Sequence, residues 1–232
     1  MDENVTLRRF KRVGTGLCFV VFPLVWVVAF AAHPDLLKPR LLLGPAELIQ
    51  RAHGNALLQL AHALVTVNTA LAVVVVLEYM RLLGGTSAAR AGLVGAALAI
   101  LGACMLAADK GALCLTMSAL DTLPEREFVQ MMPGLLTIFS LKGWMALVWG
   151  LVLLPLGVFV QTAGMLRARV LPRWQLGLLA AGLLFIGFPD GAEIVNLMAA
   201  LLMTAGMVPH GIRVLRGGAG AAVAGLAASG TS

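Results

Sequence analysis

Charge is scarce in this chain: only 12% of its 232 residues are Asp, Glu, Lys or Arg, against about a quarter in a soluble globular domain. That shortage excludes a soluble enzyme, which needs a charged surface to face water. Disorder is excluded by the same figures, because it requires low hydrophobicity and high charge. Cysteine is scarcer still, and three residues cannot build a disulfide scaffold. Cys104 and Cys114 fall on one apolar run, about 15 Å apart at 1.5 Å per helical residue, too far to bond. Cys18 lies near the start of the first run, and all three read as small core residues. Aromatics are only 6%, and no basic stripe with interleaved aromatics suggests nucleic acid.

Chemical signatures are missing as well. There is no GxSxG elbow, Walker loop or strand-borne GxGxxG, and no retinal-type lysine in the last helix. Bis-histidine haem needs facing histidines on separate spans, and only His62 lies well inside one. A metal site from His53 or His62 with Asp109 lacks HExxH or CxxC spacing. No cofactor and no metal is expected.

What the chain does have is apolar residues, 60% of the total, with a mean hydropathy of +0.94. At roughly 20 residues per crossing this supplies around six spans and leaves nothing for an extramembrane domain. The runs are Val13–Ala32, Ala56–Leu77, Gly92–Leu120, about Gly134–Leu166, Trp174–Phe188 and Ala192–Val208. Ala29-Phe30-Ala31 resembles a signal-peptide cleavage site, but the run is long and its loss would leave an odd helix count. Pro155 should kink the fourth run without ending it. Pro189-Asp190-Gly191 is a tight-turn signal that makes the last two runs an antiparallel hairpin. Eleven Lys and Arg fall in the connections on one side and four on the other, which puts both termini in the cytoplasm. The expected fold is an all-α bundle of six transmembrane helices. Residues 1–216 form one domain, followed by a disordered Gly/Ala-rich tail at 217–232.

Two outer connections are more than turns. A short helix is expected to start at Pro45, and Thr122-Leu123-Pro124-Glu125 reads as a capping box opening another. Both should lie along the outer interface over the bundle mouth.

Gly143, Gly150, Gly157 and Gly164 recur every seven residues on the fourth run, as Gly95 and Gly102 do on the third. Such a stripe lets a neighbouring helix approach closely. It serves packing in the chain itself, or a second copy or another membrane partner. The same step reaches Asp109, which should therefore face protein and not lipid.

Ionisable groups inside hydrocarbon cost about 2.5–3.5 kcal/mol each on insertion scales, so they are functional suspects. Counted from the cytoplasmic ends, His62, Asp109 and Lys142 reach one outer layer, and Glu193 and Asn196 open the last helix there. Asn55, Gln59, His62, Thr66 and Thr69 share one helix face. The expected binding residues are Asn55, Gln59, His62, Lys142 and Asn196. Asp109 and Glu193 are the candidate acids, with Asp109 paired to Lys142. Lys110, about 100° round the helix from Asp109, is expected to snorkel away. Three readings follow. The first is a pocket that binds or transports a small molecule or ion. The second is an intramembrane isomerase, cyclase or hydrolase of a lipophilic substrate, and the third is an accessory subunit.

Arg169-Val170-Leu171-Pro172-Arg173-Trp174, with Gly177 and Gly182 in the helix it opens, resembles small six-helix bacterial membrane proteins catalogued as domains of unknown function. The resemblance covers about the last third of the chain. It implies a bacterial cytoplasmic-membrane protein with six helices, and no particular activity.

Overall fold

The computed structural model describes residues 3–33, 36–37, 45–138, 141–186 and 192–217. Among them are eight helices and no strand: α1 (Glu3–Ala31), α2 (Pro45–Ala52), α3 (Ala56–Leu83), α4 (Ala89–Leu120), α5 (Glu125–Ile138), α6 (Leu141–Ala168), α7 (Arg173–Phe185) and α8 (Glu193–Leu215). Segments within α1, α3, α4, α6 and α8 are long and apolar enough to cross a membrane. The expected fifth span is shorter: α7 has 13 residues, about 20 Å, against a hydrocarbon core of about 30 Å. The Pro189-Asp190-Gly191 turn and the tail beyond Gly217 lie outside the described residues.

Six helices close into a ring. In the order α1, α3, α4, α6, α7, α8 each packs on the next, and α8 returns to α1. The α4–α6 interface is the most extensive, and the two glycine stripes explain it. A Cβ added at Gly150 would lie 2.5 Å from the Leu106 amide nitrogen, and one at Gly157 would lie 2.5 Å from the Gly95 carbonyl. Gly164 meets Ala91, Leu83 and Ala88. These three glycines thus serve close packing within the chain. Gly143 lies in the stretch of α6 whose side chains fall outside the described residues.

Buried amides lock this packing. Gln161 Nε2 donates to the carbonyls of Val76 and Gly92, which ties α6 to α3 and α4. Asn68 Nδ2 donates to the Phe22 carbonyl and joins α3 to α1 beside Pro23. Helix α6 runs on through Pro155. At one end of the ring Gly217 lies against Arg12, Gly211 against Phe19, and Gly164 against the α3–α4 link. These contacts gather the chain segments carrying Arg8, Arg9, Lys11, Arg12, Arg81, Arg90, Arg167, Arg169, Arg173, Arg213 and Arg216 at a single end.

Helices α2 and α5 pack together at the other end. Ile49, Phe128 and Leu135 form a second apolar cluster there with Leu58, Leu113, Met117 and Leu120 of α3 and α4. The short helices fall where the sequence suggests, but the capping box does not form. The Thr122 hydroxyl instead donates 2.7 Å to the Ala119 carbonyl, closing α4, and α5 starts at Glu125, directly after Pro124.

Candidate functional site

The ring encloses a cavity of about 170 Å³, walled by α1, α3, α4, α6, α7 and α8. Its deeper wall is apolar and aromatic, with Phe22, Trp26, Val65, Leu154, Val158 and Met203. Trp26 and Phe30 stack with ring centroids 5.5 Å apart. An apolar cavity of about 150 Å³ takes a benzene ring, so this space suits a ring-sized apolar group.

Polar side chains collect at the end opposite the arginines. His33, His62, Lys110, Glu193 and Asn196 all line the cavity. Glu193 and Asn196, in the first turn of α8, are only 5% and 3% exposed, so they face the cavity and its walls, not bulk solvent. Asn196 Nδ2 donates to Glu193 Oε2 at 3.3 Å, and Glu193 Oε1 lies 3.6 Å from His33 Nε2. Lys110 Nζ sits 3.1 Å from Asp109 Oδ2. The expectation that Lys110 points away from Asp109 is therefore corrected. Its four-carbon stem is flexible enough to bend back over one residue, and the buried carboxylate rewards that. Lys110 has Asp109 as its opposite neighbour, so the collar holds no unpaired lysine.

The expected site residues separate into two groups. His62, Glu193 and Asn196 converge on the cavity. Asp109 is buried at 2% exposure, as the glycine register implies, yet it acts on the cavity through Lys110 and does not itself line it. Its Oδ1 has no hydrogen-bond partner among the described residues. Asn55 caps α3, accepting from the Leu58 amide at 3.0 Å. Gln59 turns to the end of α4, accepting from Ser118 Oγ at 2.9 Å and donating to Asp121 Oδ2. Thr66 and Thr69 donate to carbonyls of their own helix, those of His62 and Thr66. The polar face of α3 is thus mostly structural, with His62 alone turned inward. The Lys142 side chain, and with it the Asp109–Lys142 pair, lies outside the described residues.

His33 and Lys110 are the cavity residues not expected as site residues. His33 follows α1 in a proline-flanked connection, where helical spacing assigns no direction. Among the described residues no three His, Cys, Asp or Glu side chains gather as metal ligands. Compared with family models, curated proteins and solved structures, the chain matches none.

Proposed function

We propose that this chain is a six-span protein of a bacterial cytoplasmic membrane, with both termini inside, that binds or carries a small amphipathic molecule in its outward cavity. One observation carries the reading: a collar of His33, His62, Lys110, Glu193 and Asn196 stands over a ring-sized apolar chamber at the centre of the helix ring. The apolar body of a ligand would replace contacts among Phe22, Trp26 and Met203, and its polar end would bond Glu193, His62 and Lys110. Asp109 offsets Lys110, and the Glu193 carboxylate disfavours anions, so an uncharged head such as a hydroxyl or carbonyl is favoured over a phosphate or sulfate. The inside-positive assignment rests on the basic connections, and the bacterial source on the resemblance of the stretch around Leu171-Pro172-Arg173-Trp174.

The test is native mass spectrometry of the gently solubilised protein. A stoichiometric small molecule, lost in His62→Ala and Glu193→Gln, is the expected result. Spectra that are the same with and without these substitutions would overturn it. One feature favours catalysis on a lipophilic substrate as a second reading: a buried carboxylate beside an imidazole over an apolar chamber, as general acid–base chemistry requires. A chemically altered molecule released from the wild type and not from Glu193→Gln would select it.

A further inference from the structure

A second concavity lies at the arginine-rich end of the ring, away from the cavity. It is an open groove of about 460 Å³ between the start of α7 and the end of α8. Pro172, Trp174 and Gln175 form one wall, and Pro209, Ile212, Arg213 and Arg216 the other. Arg213 is held in place: its Nη2 donates 2.7 Å to Oε1 of Gln175, itself only 2% exposed. Among the described residues no carboxylate pairs with Arg213 or Arg216. The glutamate near this end, Glu78, is taken by Arg81 through two short bonds of 2.8 and 2.5 Å. The groove therefore presents two guanidinium groups without an anion, one of them preorganised.

Its apolar side continues toward the middle of the bundle. Trp174 is more than half exposed, and Ile212 is exposed as well. Gly177, three residues on from Trp174, has open space around it, and Ala205, seven before Ile212, is also exposed. Side chains three or seven apart share a helix face. Two small, exposed residues thus follow the groove on the same faces of the α7–α8 pair. That pair packs closely inside, where a Cβ at Gly206 would lie 2.7 Å from the Gln175 carbonyl.

From these features we infer that the α7–α8 groove binds the headgroup phosphate of an anionic phospholipid, with an acyl chain running along the open face past Gly177. Guanidinium forks match phosphate oxygens in geometry and charge. A half-exposed tryptophan beside them fits the depth of lipid headgroups. Basic pockets between membrane helices on the cytoplasmic side are suited to such headgroups. The inference rests on α7 and α8 lying in a membrane, but it is independent of what the cavity binds.

The experiment is native mass spectrometry of the full chain in mild detergent with dioleoyl phosphatidylglycerol or dioleoyl phosphatidylcholine added. The wild type should keep phosphatidylglycerol at collision energies that strip phosphatidylcholine. Arg216→Gln, a change at an exposed side chain, should lose about tenfold of that retention. Arg213→Gln should lose at least as much, whereas Arg90→Gln, exposed in the first turn of α4 at the same end, should retain it. Equal retention of the two lipids, an unchanged Arg216→Gln, or an equal loss in Arg90→Gln would overturn the inference. So would displacement of the lipid by millimolar inorganic phosphate, which would make the groove a site for the free anion.

Discussion

Glu193 Oε1 lies 3.6 Å from His33 Nε2, so the first turn of α8 is tied to the residues that follow α1 at the mouth of the cavity. Helices α1 and α8 already share one of the main interfaces, and Phe19 and His210 meet edge to face at its other end, with centroids 4.7 Å apart. The mouth is thus framed by a polar contact between two elements that also pack together.

That contact should show as coupling. His33→Ala leaves a buried carboxylate without its neighbour, and Glu193→Gln removes the charge that His33 faces. Each should destabilise the protein, and the double variant should cost less than the sum, by about 0.5–3 kcal/mol. Unfolding of the four proteins in one detergent measures it. Additive losses would mean that the two side chains do not interact.

The glycine stripes make a second prediction. Gly157→Ala places a Cβ 2.5 Å from the Gly95 carbonyl, and backbone cannot yield as a side-chain tip can. The cost should be about 1–3 kcal/mol, as for other overpacked interiors. At Gly14 nothing lies within 4 Å of an added Cβ, and Gly14→Ala should be neutral or stabilise α1 by up to about 1 kcal/mol. Thermal unfolding of both variants separates close packing from a general intolerance of change.

These stripes were legible in the sequence because a strict period of seven fixes one helix face, and the buried face of Asp109 followed from the same register. The short helices α2 and α5 were legible through their prolines. The polar face of α3 was harder to read. Spacing says which residues share a side, but not that Thr66 and Thr69 would turn back to their own backbone or Gln59 toward Asp121. His33 and Lys110 escaped for different reasons. One belongs to a connection whose position is set only when α1 meets α8, and the other has a stem long enough to override its helical direction.

Topology gives a third prediction, read by cysteine labelling in a background without Cys18, Cys104 and Cys114. Ser87, exposed in the α3–α4 link, and Thr122, exposed after α4, lie at opposite ends of the ring. In intact cells a membrane-impermeant maleimide should label Thr122→Cys at once, and Ser87→Cys only after permeabilisation. The reverse pattern would invert the protein, and labelling of both would break the reading of α4 as a span.

The cover made by α2 and α5 provides the fourth. Asp121 accepts from the Gly54 amide at 2.8 Å and from Gln59 Nε2, and its Oδ1 lies 2.9 Å from His53 Nδ1. His53 in turn stacks on Phe128 of α5 with ring centroids 3.7 Å apart. One carboxylate therefore joins the α2–α3 corner, the end of α4 and, through His53, the cover formed by α5. Beneath it the Cys114 thiol reaches the Gln59 carbonyl at 3.5 Å. Asp121→Ala removes every one of these acceptors, and bonds to a charged group are worth about 1.5–3 kcal/mol where they are buried. This site is partly exposed, so the lower end applies. A loss of about 1.4 kcal/mol in the local opening free energy would speed maleimide labelling of Cys114 about tenfold. Asp121→Asn keeps one oxygen for the Gly54 amide and should fall between. Thr122→Val removes only a bond within the end of α4 and should leave the rate unchanged. If Asp121→Ala labels no faster than Thr122→Val, the cover is held by the apolar cluster of Ile49, Phe128 and Leu135 alone, and the carboxylate merely caps the corner.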